Sequence, residues 1–255
     1  MNYEVRTQDC LTLEADLLSQ SRLIYLDPPY GPRGEDTYFG VGETPEEYVA
    51  YVVARVAALV RPTSDVNVVL HVDPKYSHYL KVALDKVLGR ENFRNEIVWC
   101  YSGPSVAKAQ MPRKHDILLW YGLGDYVYNP IYVPYADGLR VGGGAAWSKE
   151  VKDESTYVTR GKHLEDWWTD IPALVRNEKE KRGYPTQKPQ KLLDRIVTAF
   201  SNEGDLVVDP MMGSGTTLMS CMSHRRKFLG CDVSPVAVQL AEEWVEEHFG
   251  LMTQF

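Results

Sequence analysis

The segment L-V-V-D-P-M-M-G-S-G-T-T, Leu206 to Thr217, runs from a short apolar stretch through an acid into a glycine-rich turn, and its reading decides the fold. Leu206 to Val208 reads as a buried strand of the parallel kind, because consecutive β-capable apolar residues bounded by turn signals leave no polar face. Gly213 and Gly215 let the backbone bend tightly and approach a ligand closely. A helix is expected from there to about Ser223, then a strand from Lys227 to Cys231 that ends in Asp232. Asp232 lies 19 residues beyond Gly213, near the spacing at which an acid after the second strand of a nucleotide-binding unit holds the two hydroxyls of a ribose. No lysine follows the glycines, so the loop is not built to cradle the phosphates of ATP. Asp209 puts an acceptor where a dinucleotide wants neutral backbone facing its pyrophosphate; an amine-bearing ligand fits better.

Working outward, strands and helices alternate. Tyr3 to Arg6 reads as a short strand, followed by Asp9 and Cys10. Leu23 to Leu26 is a buried strand, and a loop rich in glycine and charge follows from Gly31 to Gly40. Thr44-Pro45-Glu46-Glu47 joins an N-cap threonine, a proline at the first helical position and a glutamate at the third, so a helix should run to about Val60 and stop before Arg61-Pro62. Val66 to Val72 is the next strand; Lys75 to Leu88 is the next helix, with Gly89 as its stop. Asn95 to Tyr101 and Asp116 to Tyr121 are further strands, Gln190 to Phe200 has helical apolar spacing, and Ser234-Pro235 caps the last helix. Between Gly122 and Gly183 periodicity fades, and residues 122–183 read as an irregular insertion in one α/β domain of residues 1–255.

A chain of 255 residues, 44% hydrophobic and 25% charged, suits one such domain. It shows no transmembrane run and no signal peptide, and its start is already strand-like and charged, so a cytoplasmic protein with no membrane partner is expected. Cys10, Cys100, Cys221 and Cys231 form no C-x-x-C pair, which suggests neither a metal site nor a disulfide framework. The net charge of −7 argues against a nucleic-acid partner, but residues 101–191 hold 14 Lys+Arg against 11 Asp+Glu, a net of +3, while the remainder carries 14 against 24, a net of −10. The middle is therefore relatively basic, as a local phosphate-contacting surface or as ordinary solvated loops.

The stretch L-I-Y-L-D-P-P-Y-G, Leu23 to Gly31, places Asp27 at the carboxyl end of a strand, the edge where open α/β sheets bind ligands. Pro28 and Pro29 stiffen the turn and remove two donors, and Tyr30 adds a flat ring. The result is a rigid display of carboxylate, carbonyl and aromatic face.

Three motifs together, D-P-P-Y at 27–30, P-T-Q-K-P at 185–189 and D-P-M-M-G-S-G-T-T at 209–217, resemble the catalytic, cofactor-carboxylate and glycine motifs of the amino-group DNA methyltransferases. Their order resembles that of the circularly permuted β group, and N-E-I-V-W at 95–99 and K-H-D-I-L-L-W-Y at 114–121 are similar to segments that follow its catalytic half. Met211 and Met212 stand where an aromatic is more frequent. The resemblance implies a Rossmann-like S-adenosylmethionine-dependent methyltransferase fold, circularly permuted, with 122–183 as an inserted target-recognition region. It further implies methyl transfer to the N6 amino group of adenine in duplex DNA, with base flipping. N4-cytosine methylation is the alternative, since D-P-P-Y leans only toward adenine; an inactive binder of DNA and cofactor, or a dinucleotide oxidoreductase, is the remaining class.

The resemblance gives Asp27, Pro28, Pro29 and Tyr30 the catalytic role: Asp27 and the Pro28 carbonyl would accept the target amine, and Tyr30 would stack on the base. Asp27, Asp209, Met211, Gly213, Ser214 and Gly215 would line the cofactor's methionine end, Thr216 and Thr217 would begin the helix facing its carboxylate, and Asp232 would take the ribose. Thr186 and Lys188 would meet the same carboxylate, and Asp9 beside Cys10 would contact the adenine amino group. Arg113, Lys114, Arg140, Arg160, Lys162, Arg176, Lys179, Lys181 and Arg182 are candidate DNA contacts, most of which would hold phosphate and carry no sequence information. Trp167 and Trp168 are either wedges or core. A homodimer and a restriction endonuclease partner stay open.

Overall fold

The computed structural model describes residues 3–30, 44–60, 64–103, 108–133, 162–174 and 180–250. Eight strands form one sheet: β1 (Tyr3–Thr7), β2 (Ser21–Leu26), β3 (Asn67–Val72), β4 (Phe93–Cys100), β5 (His115–Gly122), β8 (Trp167–Trp168), β9 (Leu206–Asp209) and β10 (Lys227–Asp232). They stand in the order β1-β10-β9-β2-β3-β5-β4-β8. β1, β10, β9, β2 and β3 are mutually parallel, and β5 runs antiparallel to both its neighbours. Two further short strands, β6 (Tyr132–Val133) and β7 (Lys162–His163), pair with each other.

The central strands β2, β3, β5 and β9 are buried along almost their whole length because both faces of the sheet are covered there. Successive side chains alternate between the two layers. Ile24 and Leu26 of β2 pack with Tyr48, Val52 and Val56 of α2 (Pro45–Leu59) and Leu80 of α3 (Pro74–Leu84). Leu23 and Tyr25 pack on the opposite face with Leu192 and Ile196 of α4 (Gln190–Phe200), Leu218 of α5 (Thr216–Ser223) and Trp244 of α6 (Pro235–Phe249). The expected capping box of α2 forms: the Thr44 hydroxyl accepts from the Glu47 amide and the Glu47 carboxylate accepts from the Thr44 amide.

Two expectations are corrected. The helix expected over 75–88 leaves regular geometry after Leu84 and ends in a π turn, Asp85–Gly89, with Gly89 at φ 85°. The region 122–183 is not wholly irregular: β8 adds to the main sheet by pairing in parallel with β4. Pleating splits its two tryptophans, so Trp168 is buried in the core while Trp167 is 55% exposed.

This topology makes one crevice. β9 leads through α5 to β10, and β2 leads through α2 to β3, so two adjacent parallel strands send their chains in opposite directions and onto opposite faces. Ligands bind outside the carboxyl ends of strands at such a switch point. Each of the five mutually parallel strands β1, β2, β3, β9 and β10 carries an aspartate at or just beyond that end: Asp9, Asp27, Asp73, Asp209 and Asp232 in turn.

Candidate active site

A cavity of about 770 Å³ opens over the switch point. Asp27, Pro28, Pro29 and Tyr30 enter it from β2, and Thr186 and Lys188 from the segment before α4. Asp209, Met211, Gly213, Ser214, Thr216 and Thr217 enter from the turn after β9, Asp232 from β10, and Asp9 and Cys10 from β1. Segments far apart in the chain thus share one space.

Lys188 donates through Nζ to Oδ2 of Asp27 and to the backbone oxygen of Thr186 at 3.2 Å. The same ammonium lies 4.7 Å from the centre of the Tyr30 ring. Oδ1 of Asp27 is buried and has no hydrogen-bond partner among the described residues, an open acceptor beside an aromatic face. Lys188, expected to meet a cofactor carboxylate, lines the same cavity and here meets the carboxylate of Asp27. Thr186 is held at φ 61°, in the left-handed region that non-glycine residues seldom enter. Gln187 ties this segment down by accepting from the Arg182 amide and donating to the Glu180 carbonyl.

The turn after β9 is knit by its two acids. Asp209 accepts from the Thr217 hydroxyl at 2.6 Å and the Met211 amide at 3.1 Å. Burial pushes its carboxyl up to about 7, with Asp27 and Asp232 adding to the rise against those two hydrogen bonds. Asp232 accepts from the Gly213 amide at 3.0 Å and the Ser234 amide at 2.9 Å, and burial raises its pKa as well. Gly213 (φ 50°) and Gly215 (φ 84°) both need the left-handed region. Gly215 does not reach the cavity: a Cβ there would lie 2.6 Å from that of Ala241, so its smallness serves the packing of the turn on α6.

At the β1 end, Asp9 lines the cavity and accepts from the Leu11 amide at one oxygen and from Arg55 at the other. Arg55 also lies over the Tyr51 ring at 3.5 Å. Burial drives the Cys10 thiol up to about 12, so it stands at the cavity wall as a neutral thiol. Sequence reasoning missed Tyr51, Arg55 and Tyr184, all of which line the cavity. The signal available was the polar side of α2, where Tyr51 and Arg55 stand four residues apart. Among the described residues no cluster of His, Cys, Asp or Glu is disposed to hold a metal ion.

Of the candidate DNA contacts, Arg113 and Lys181 are exposed, and Lys114 is half-buried at the foot of the β4–β5 hairpin. Two others are engaged within the chain. Lys162 pairs with Glu165 at 2.6 Å, and Arg182 pairs with Glu247 at 2.7 Å and lies over Trp244, drawn to the acidic outer side of α6. Arg140, Arg160, Arg176 and Lys179 lie outside the described residues.

A family model described as DNA methylase matches residues 21–243. The chain belongs to this family. Its catalytic-type segment precedes its glycine turn, as in the β group of amino DNA methyltransferases. The methylase is 27% identical over 235 residues to the type II methyltransferase M.HpaI of Haemophilus parainfluenzae, a match covering 89% of this chain and 68% of that protein. It spans about two thirds of the length of the curated relatives that match most of it. In fold, it resembles the M1.HpyAVI–SAM complex (TM-score 0.58, 22% identity, 95% of this chain and 99% of that one). It also resembles the PvuII DNA methyltransferase, described as cytosine-N4-specific (TM-score 0.65, 16% identity, 95% and 86%). The methylase therefore has the Rossmann-like fold of these enzymes.

Proposed function

We propose that this chain transfers a methyl group from S-adenosylmethionine to the exocyclic N6 amino group of adenine in duplex DNA, after the base has been turned out of the helix. The observation that carries the reading is the ammonium of Lys188 lying against both the Asp27 carboxylate and the Tyr30 ring. A nitrogen donor is already accommodated where a target amine would need to be.

The residues present fit the cofactor. It is a sulfonium and an amine at one end and a ribose diol at the other, and the cavity offers the carboxylates of Asp27, Asp209 and Asp232 along its length. Asp209 and the glycine turn would hold the methionine end, Asp232 the ribose, and Arg55, Tyr51 and Asp9 would border the adenine. S-adenosylmethionine supplies an electrophilic methyl group.

The chain's own part is to make an amine nucleophilic. An adenine amino group is a poor nucleophile because its lone pair is delocalised into the ring. Hydrogen bonds from its two N–H groups to Asp27 and the Pro28 carbonyl would localise that pair on nitrogen, and the two prolines keep those acceptors from relaxing, which is preorganisation toward developing charge. The Asp27 carboxylate is also the acceptor on offer for the proton that the methylated nitrogen sheds. Extruding the base costs about a few kcal/mol, which stacking on Tyr30 offsets in part. Arg113, Lys114 and Lys181 would contact phosphate, and residues 122–183 would read the target within a single domain spanning the sheet. Among the described residues no helix is long and apolar enough to cross a membrane.

Nucleoside mass spectrometry of mixed-sequence duplex DNA, incubated with protein and isotope-labelled S-adenosylmethionine, tests the reading. Label in N6-methyladenine that disappears in Asp27→Ala is expected. Label in N4-methylcytosine would keep the mechanism and replace the base, a second reading favoured by the likeness to the PvuII enzyme. No label on any base would overturn the proposal.

A further inference from the structure

Three donors converge on one buried carboxylate outside the cavity. Asp116, on β5, accepts at Oδ2 from the Tyr30 hydroxyl at 3.0 Å and from Nε2 of His71 at 3.1 Å, and at Oδ1 from the Tyr101 hydroxyl at 3.0 Å. Nδ1 of His71 in turn meets the Tyr25 hydroxyl at 2.8 Å. His71 thus bridges Asp116 and Tyr25, one ring nitrogen on each. His71 is fully buried, Tyr25 is 2% exposed and Asp116 6%. Asp116 is held below the usual carboxylate range: burial opposes this, and the hydrogen bonds from His71 and Tyr101 with the charge of Lys188 outweigh it.

We propose that Asp116 is a positioning residue for Tyr30, fixing the tilt of the ring on which the extruded base stacks. The inference rests on the reading of Tyr30 given under the proposed function. An ionised carboxylate only accepts, so it can receive all three donors at once; a side chain without oxygens in its place would leave the Tyr30 hydroxyl with nothing to hold it from β5. Pro28 and Pro29 set where the Tyr30 backbone stands, but nothing in them sets the plane of a ring on a rotatable bond. The bond to Asp116 supplies that constraint from the far end of the phenol, while one ring face stays toward Lys188 and Asp27. Tyr101 extends the constraint to the β4–β5 hairpin, whose foot is closed by the Tyr101 amide donating to the Lys114 carbonyl at 2.9 Å. Base-stacking ring and hairpin thus take their register from the same two oxygens.

The test uses a duplex carrying the mapped target, and a second duplex with 2-aminopurine at the methylated position. Asp116→Ala is expected to lower kcat by about 10- to 100-fold, the order that misplacing a reacting group costs. Its affinity for S-adenosylhomocysteine and its KM for DNA should stay within about twofold. The 2-aminopurine should become brighter than in the unaltered protein, because an extruded base that loses its stacking partner is no longer quenched. Tyr30→Phe, which removes the same bond from its other end, should reproduce both effects, and the double variant should add nothing further. Unaltered kcat and quenching in Asp116→Ala would overturn the inference, as would a double variant whose losses multiply. Should Asp116→Ala fail to fold, Tyr30→Phe decides alone: full kcat and normal quenching there would overturn it. Absence of methyl transfer by the unaltered protein would instead remove the functional reading and this inference with it.

Discussion

Lys188 donates to the carboxylate of Asp27 across 161 positions of the chain, joining the segment before α4 to the end of β2 at the floor of the crevice. With side chains only 8% and 16% exposed, neither charge is well hydrated once the other is gone. Lys188→Met and Asp27→Ala are each expected to cost about 1–3 kcal/mol, because loss of one partner leaves the other buried and unpaired. The double variant should lose less than the sum, as for residues in direct contact. Urea unfolding of the four proteins measures this, and simple additivity would show that the pair contributes no coupling.

Asp209 makes stability depend on pH in an unusual direction for an acid. Its folded carboxyl titrates near 7, whereas an unfolded aspartate titrates near 4. Between those values the folded state holds a proton that the unfolded state has shed, so this group's contribution falls as pH rises from about 4 to about 7 and is level above. In Asp209→Asn that slope should vanish, although the amide can accept only one of the two bonds that the carboxyl takes from Thr217 and Met211. Urea midpoints at about pH 5, 6.5 and 8 compare the two slopes.

The two glycines of the turn should fail differently when replaced by alanine. Both pay the left-handed penalty of about 1 kcal/mol. At Gly215 the new methyl also meets Ala241 at 2.6 Å on a packed helix, so a large drop in melting temperature is expected. At Gly213 it meets the Tyr184 ring at 2.9 Å, and that ring lines the cavity. Gly213→Ala should therefore lose affinity for S-adenosylhomocysteine out of proportion to its loss of stability, as calorimetry set beside thermal denaturation would reveal.

Arg226 closes the end of α4 far from the crevice. Its guanidinium donates to the Ser201 carbonyl at 2.6 Å, the Ser201 hydroxyl at 3.2 Å and the His224 carbonyl at 2.6 Å, satisfying carbonyls that a helix end leaves open. Arg226→Met is expected to destabilise by about 2–3 kcal/mol, while kcat and KM, measured on the folded fraction, stay unchanged.

Those contrasts trace what could be read in the chain beforehand. Residues contiguous in a turn were legible, because Asp27 with its prolines and Asp209 with its glycines are local chemistry: the strand before each sets direction and the turn residues set φ. Partners across the sheet were not. Periodicity shows that His71 and Asp116 sit in otherwise apolar strands, which signals buried polar groups needing partners, but it carries no information on which two strands adjoin. The same limit hid Arg55 from Asp9 and Lys188 from Asp27. Trp168 and Trp167 differ only by the pleat of a two-residue strand, too short for alternation to register.

The sheet order also bears on how the protein is made. β9 and β10 lie between β1 and β2, so strands from the end of the chain fill a gap between strands from its beginning. From Leu26 to Leu206 a ribosome adds 180 residues, about 10 to 35 s of synthesis at roughly 5–20 residues per second. During that interval β1 and β2 have no neighbour on their facing edges, and each offers an unpaired backbone to any other chain within reach. The nascent protein is thus open to mispairing throughout that interval, and the acids that must meet across the crevice are brought together only as β9 and β10 arrive.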